Sequence, residues 1–184
     1  MKRKLLILSV LAICLATLAA GTVAFFTAEG KAHNVITTGG VEIAVQEWAD
    51  EAKTAPFEDL TGVMPNTTVT KIAEIKNTGA SDAWIRVKVE KNIQLQGEDT
   101  PNTDLVELNL NDTDWELGQD GYYYYNQALK PGKVTKPIFT TVTFDAAMGN
   151  EYQNATASVD VFAQAVQKAN NGASAMTANG WPNS

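Results

Sequence analysis

The sequence predicts an all-β fold: an antiparallel β-sandwich of jelly-roll or immunoglobulin type, entered through an N-terminal signal-peptide helix. Three observations carry this. Beyond residue 40 the apolar residues recur with period two and not 3.6, turn-forming residues interrupt them at short intervals, and no strongly amphipathic helical stretch occurs. Alternation places successive side chains on opposite faces of a strand, so each such segment has one face to bury, and two sheets bury their faces against each other.

Taken in order, Val41, Ile43 and Val45 alternate with Glu42, Ala44 and Gln46. Val69 to Ile75 forms the next candidate strand, and Ile85, Val87 and Val89 then alternate with Arg86, Lys88 and Glu90. Val106, Leu108 and Leu110 alternate with Glu107 and Asn109, and Tyr122 to Tyr125, Ile138 to Phe144 and Ser158 to Val166 complete seven or eight strands. Between them lie Thr38-Gly39-Gly40, Met64-Pro65-Asn66, Asn77-Thr78-Gly79, Gly118 to Gly121, Lys130-Pro131-Gly132 and Met148-Gly149-Asn150. Gly and Asn tolerate positive φ and Pro pre-sets the bend, so these are turns with a mechanism. Trp48 to Leu60 reads as a short helix or a loop, limited in either case by Pro56. The polar, Gly-rich stretch from Asn170 to Ser184 reads as a loose tail except where Trp181 packs.

The N-terminus is of another kind. Lys2, Arg3 and Lys4 precede an apolar run that reaches Phe26 and contains small residues near its end, Ala19, Ala20, Gly21 and Ala24. Basic n-region, apolar h-region and small residues are the marks of a secretory signal peptide. An uncleaved anchor is the alternative, and the small residues favour cleavage. Residues 1–25 are therefore expected to leave, followed by an N-terminal segment over 26–40, a β-sandwich domain over 41–169 and the tail over 170–184.

Cleavage changes the chemistry of what remains. Of 14 Lys and Arg residues three depart, leaving 11 against 21 acidic residues and a net charge of -10, where the whole chain has -7. Such a chain is a poor nucleic-acid partner, because phosphate neutralisation needs a clustered excess of Lys and Arg. Cys14, the only cysteine, departs too, so thiol catalysis and disulfides are excluded and the secreted domain must rely on its core. His33 is the single histidine; no H-E-x-x-H or G-x-S-x-G is present. Zinc hydrolysis and triad chemistry lose their usual residues, no cofactor is expected, and the chain reads as a non-enzyme.

Two features remain. Glu98, Asp99, Asp104, Glu107, Asp112, Asp114, Glu116 and Asp120 crowd one stretch, which reads better as a solvated acidic loop than as a Ca²⁺ site because the Gly of a calcium loop is missing. Trp115, Tyr123 and Tyr125 are candidate surface aromatics that would stack on sugars, which gives the alternative reading of a carbohydrate-binding module; core packing is the blander role for the same rings.

Several segments together resemble one family. They are Gly21-Thr22-Val23-Ala24-Phe25-Phe26-Thr27 with the strand Gly40 to Glu47; Lys76-Asn77-Thr78-Gly79 followed by Ala83-Trp84-Ile85-Arg86-Val87-Lys88-Val89; and Gly121 to Asn126, then Leu129-Lys130-Pro131-Gly132, Ile138-Phe139 and Val161 to Gln167. In order and spacing they are similar to the TasA and camelysin-like proteins of Gram-positive bacteria, exported through the signal peptidase SipW. The resemblance implies a jelly-roll sandwich secreted to the cell surface as a subunit of biofilm matrix fibres, cleaved around Ala24, Phe25 and Phe26. It implies growth by strand exchange, with Phe26, Ala28, Ala32 and Val35 as the apolar anchors of the donor. Its partners would be further copies or a homologous matrix protein, with a SipW-like peptidase during export, and its membrane contact would end with the signal peptide. The metalloprotease activity described for camelysin-type members is not carried across, because the ligand histidines are missing.

A subunit at -10 repels its copies at low ionic strength. Assembly of the mature chain is therefore expected to speed up with added salt and with lower pH, followed by light scattering; a yield flat across both variables contradicts the charge argument.

Overall fold

The computed structural model describes residues 35–37, 41–58, 65–95, 100–152 and 155–182. The expected signal peptide, its cleavage region at Ala24, Phe25 and Phe26, and the donor anchors Ala28 and Ala32 lie outside the described residues.

Within them the chain is all-β. Nine strands are described: β1 (Val35–Thr37), β2 (Ile43–Trp48), β3 (Thr67–Asn77), β4 (Ala83–Gln94), β5 (Val106–Leu108), β6 (Trp115–Leu117), β7 (Tyr123–Tyr125), β8 (Phe139–Phe144) and β9 (Thr156–Gln167). Helical structure amounts to three 3₁₀ turns of three residues each, and no described helix is long and apolar enough to cross a membrane. One sheet has the order β1-β9-β4-β7-β6 and the other β2-β3-β8-β5. All pairings are antiparallel except one: β1 runs parallel to β9, with Val35 opposite Ala163 and Thr37 opposite Ala165.

The longest ladder joins β4 and β9 over twelve residue pairs, from Ala83 opposite Gln167 to Gln94 opposite Thr156. Its alternation sorts the side chains. Ala83, Ile85 and Val87 of β4 and Val159, Val161, Ala163 and Ala165 of β9 enter a core shared with Ile43, Ala73, Ile75, Ile138, Phe139 and Val142 of the second sheet's side. The two sheets therefore face each other across one apolar layer. Each fully buried large side chain in it contributes about 1.5–3 kcal/mol. In place of disulfides, this layer is the main source of stability.

The expected strands lie near where the alternation puts them, with wider limits for β3, β4 and β9 and narrower ones for β5 and β7. β6 escaped the pattern, and β1 falls within the N-terminal segment 26–40, whose Val35 is one of the expected donor anchors. Trp48 to Leu60 is a loop over its described part: the Asp50 carboxylate accepts from the amides of Thr54 (3.2 Å) and Ala55 (2.7 Å), and Trp48 bridges to Pro56. These bonds to the ionised form, the Ala55 amide first, hold the Asp50 carboxyl below its ordinary value.

The Asn77-Thr78-Gly79 turn is a structural staple. Asn77, fully buried, donates from Nδ2 to the carbonyls of Ser81 and Leu129, both at 2.8 Å, and accepts from the Gly79 amide. Thr78 and Gly79 both donate to the Glu42 carbonyl, and a Cβ on residue 79 would come within 2.8 Å of the Glu42 nitrogen. Only glycine permits that approach.

Truncating a core ring tests the shared layer. Phe139→Ala is expected to lower unfolding free energy by about 3–5 kcal/mol in denaturant titration. A loss near 1 kcal/mol would show that the sheets do not share a packed layer.

Candidate functional site

The surface-aromatic expectation is corrected at two of its three positions. Trp115 is 2% exposed and Tyr125 6%, with ring centroids 5.0 Å apart inside the core. Their polar atoms are also committed: Trp115 Nε1 donates to the Lys136 carbonyl, and the Tyr125 hydroxyl accepts from the Lys136 amide. A buried ring satisfied on both sides cannot stack on a sugar. Tyr123 is half-buried against the same core. Of the acidic stretch, Asp112 and Asp114 sit in a turn capped by Asn111, whose Oδ1 accepts from the Thr113 and Asp114 amides and whose Nδ2 donates to Asp114. No group of three or more metal-ligating side chains is gathered among the described residues.

The polar and aromatic groups gather instead on the outward face of β4, β7 and β9. Trp84, Arg86, Tyr124, Gln164 and Val166 point away from the core by the two-residue alternation, yet all are buried, because the chain from Asn170 to Pro182 returns across them. Ala175, Ala178 and Trp181 of this C-terminal strap pack on Trp84, Tyr122, Tyr124 and Val166. Composition alone reads the segment as loose; its hydrogen bonds hold it. Trp84 Nε1 donates to the Asn171 carbonyl at 2.7 Å, and Thr177 Oγ1 accepts from the Ser174 amide.

At the centre lies Arg86. Its Nε and Nη2 donate to Gln164 Oε1 at 2.9 and 2.7 Å, Nη1 donates to Asp120 Oδ2 and to the Tyr124 hydroxyl, and Nη2 donates also to the Pro182 carbonyl. The guanidinium lies 4.0 Å from the ring centre of Tyr122 and 4.7 Å from that of Trp181. A buried charge is tolerated only when its donors are met, and here the fork supplies five bonds between two aromatic faces. Tyr124 meets Trp181 edge-on at 5.9 Å and donates from its hydroxyl to Asp120 at 2.7 Å. Trp181 Nε1, by contrast, is buried without a hydrogen-bond partner among the described residues.

The network shifts two titrations. Burial opposes ionisation of Asp120, but the Tyr124 hydroxyl, the Tyr122 amide and the Arg86 charge outweigh it, and its pKa falls below the ordinary value. Burial and then donation to Asp120 push the Tyr124 hydroxyl up.

A second cluster lies along β2. An open groove of about 300 Å³ is lined by Val45, Gln46, Glu47, Trp48, Pro56 and Phe57. Behind it Lys71, 6% exposed, pairs with Glu47 at 3.1 Å, donates to the Val159 carbonyl at 2.9 Å and lies 4.5 Å from the Phe57 ring centre. Glu74 accepts from Trp48 Nε1 and pairs with Lys53. These charges are spent on one another, which suits holding a loop and a strand edge in place better than acid–base chemistry.

The fold and its clasped outer face define a two-sheet, all-β protein. Comparison with protein-family models, with curated proteins and with solved structures gives no match. Arg86, Tyr122, Gln164 and Trp181 were not among the residues the sequence marks as a site. The available signal was an arginine inside an otherwise regular alternation, facing away from the core.

Because Asp120 has a lower pKa folded than unfolded, its contribution is complete above the ordinary carboxylate range and is lost as pH falls through the depressed value. Trp181 fluorescence is expected to stay native down to that range and change below it, while Asp120→Asn weakens the clasp at neutral pH and removes the acid step. Arg86→Lys, which cannot make five bonds, is expected to cost about 2–4 kcal/mol in denaturant unfolding. A cost near zero would sink the clasp as a stabilising unit.

Proposed function

We propose that the chain is a non-enzymatic structural protein: a secreted subunit of extracellular matrix or biofilm fibres on a Gram-positive cell surface, jelly-roll in topology. It is exported by a SipW-like peptidase and assembles by strand exchange of its mature N-terminus, with further copies or with a homologue. The basic and apolar N-terminus, the cysteine-free β domain and the ordered motifs of the TasA-like family support this reading.

The observation that carries it is the state of β9. Twelve residues long, it has β4 along its whole inner edge but, among the described residues, β1 along Ala163–Ala165 only, and no described strand pairs with its outer edge from Thr156 to Phe162. The direction of its amides follows from the ladder. Ala83 exchanges both backbone bonds with Leu129, on the side of β4 away from β9. Its partner Gln167, and with it Ala157, Val159 and Val161, therefore directs its peptide groups away from β4 towards that outer edge. An open edge is a template for an added strand, and a head-to-tail addition does not close, so it makes filaments. Lys71, whose ammonium takes the Val159 carbonyl, acts as a charged guard of that edge.

The donor has a constraint of its own. In the sequence Phe26, Ala28 and Ala32 stand at even positions and Val35 at an odd one, so a donor strand burying all four on one face needs one irregularity between Ala32 and Val35.

Electron microscopy of the purified chain beginning at Phe26 is the test. Filaments are expected, and deletion of Phe26 to Val35 is expected to leave a folded monomer that does not polymerise. Monomers that never assemble, with or without acid or seeds, count against the fibre reading, and normal fibres from the deletion remove strand exchange.

A further inference from the structure

The strap that covers the outer face is closed by one side chain. Asn171 Nδ2 donates to the carbonyls of Gln167 (3.1 Å) and Asn179 (3.0 Å), its Oδ1 accepts from the Asn179 amide at 2.8 Å, and its own carbonyl takes the Trp84 indole. The amide group thus imitates a strand partner, tying the start of the strap to its end. The next residue is Gly172, at φ +66°, where a Cβ would come within 2.8 Å of the Ala178 nitrogen. Its exposed amide has no hydrogen bond within the described residues. Asn followed by Gly is the pair in which the backbone nitrogen reaches the side-chain carbon most readily, because no Cβ hinders the approach.

We propose that Asn171 is a modification site that works as a one-way latch: intramolecular deamidation at Asn171-Gly172 releases the C-terminal strap. The Gly172 nitrogen bonds to Asn171 Cγ, the Cγ–Nδ2 bond breaks, and Nδ2 leaves as ammonia carrying the proton of the Gly172 amide. Water then opens the resulting imide, giving aspartate or isoaspartate at position 171. Either product destroys the latch. A carboxylate has no donor for the Gln167 and Asn179 carbonyls and repels both, and isoaspartate also lengthens the backbone and moves the carbonyl that Trp84 uses.

The closed strap protects the residue it depends on. Three side-chain hydrogen bonds tether the Asn171 amide, so reaction requires them to break by local opening, and the rate follows the fraction of time the strap is open. Trp181, clamped against Arg86 and Tyr124, sets that fraction from the far end. Once the amide is lost, Trp84, Tyr124 and Arg86 lose their cover together. This inference is independent of whether the chain forms fibres.

The test uses the full mature chain held at mildly alkaline pH, with peptide mapping for the mass gain of amide-to-acid conversion and for isoaspartate at position 171. Slow conversion is expected in the native protein and conversion about tenfold faster in Trp181→Ala, where the strap opens more often. Asn171→Asp, which starts with the latch undone, is expected to lose residues 169–184 to trypsin at the exposed Lys168 well before the native chain does. Equal conversion rates in the native chain and Trp181→Ala would overturn the protection argument, as would no conversion in either. An Asn171→Asp strap as resistant to trypsin as the native one would overturn the latch.

Discussion

The twelve-pair ladder between β4 and β9 is the constraint on which the rest of the molecule depends. It is the one pairing long enough to define two continuous faces, and every other element is placed by one of them. The inward face, through Ile85, Val87, Val161 and Ala163, sets the position of the second sheet by apolar burial. The outward face, through Trp84, Arg86, Gln164 and Val166, sets the position of the strap. A one-residue slip would exchange the two faces and put the Arg86 guanidinium into the apolar layer, so register here is fixed from both sides at once.

This double use explains how the chain buries a charge without losing stability. Arg86 faces away from the core, where an exposed arginine would cost nothing, yet the strap encloses it at 8% exposure. Enclosure is tolerable because Gln164 and Tyr124 already stand on neighbouring strands at the matching register: Arg86 is opposite both Gln164 of β9 and Tyr124 of β7. The strap then adds only Trp181 and the Pro182 carbonyl. Most of the desolvation cost is thus offset within the sheet before the strap arrives, and a short segment with few apolar residues suffices to close it.

How much of this was legible in the sequence follows from the same distinction. Burial against the core repeats every second residue, so the strand positions and the inward residues could be read from the order of apolar side chains alone. Burial under the strap has no such period, since it depends on thirteen residues that return from elsewhere in the chain. Tyr123 and Tyr125 read as the candidate surface rings, whereas the tyrosines on the outward face are Tyr122 and Tyr124, which the strap covers to 6% and 7% exposure. Trp115 misled in the same sense: a tryptophan beside acidic residues resembles a surface ring until its pairing with Tyr125 is known.

The motifs behind the family resemblance take on a physical meaning in this light. Asn77 and Gly79 are required by a turn in which one side chain satisfies two carbonyls and a backbone passes too close for a Cβ. Trp84 and Arg86, in the strand that follows, are required by the strap. Both sets are rules for holding a disulfide-free sandwich together and neither is chemistry at a substrate, so they account for a fold and not for an activity. The portion of the chain that would carry function in a fibre is the least constrained by these rules: among the described residues it is three pairs of parallel strand on the outer edge of β9. Exchange between subunits requires a strand that can be given up, and one bound along the whole length of β9 would be too stable for that.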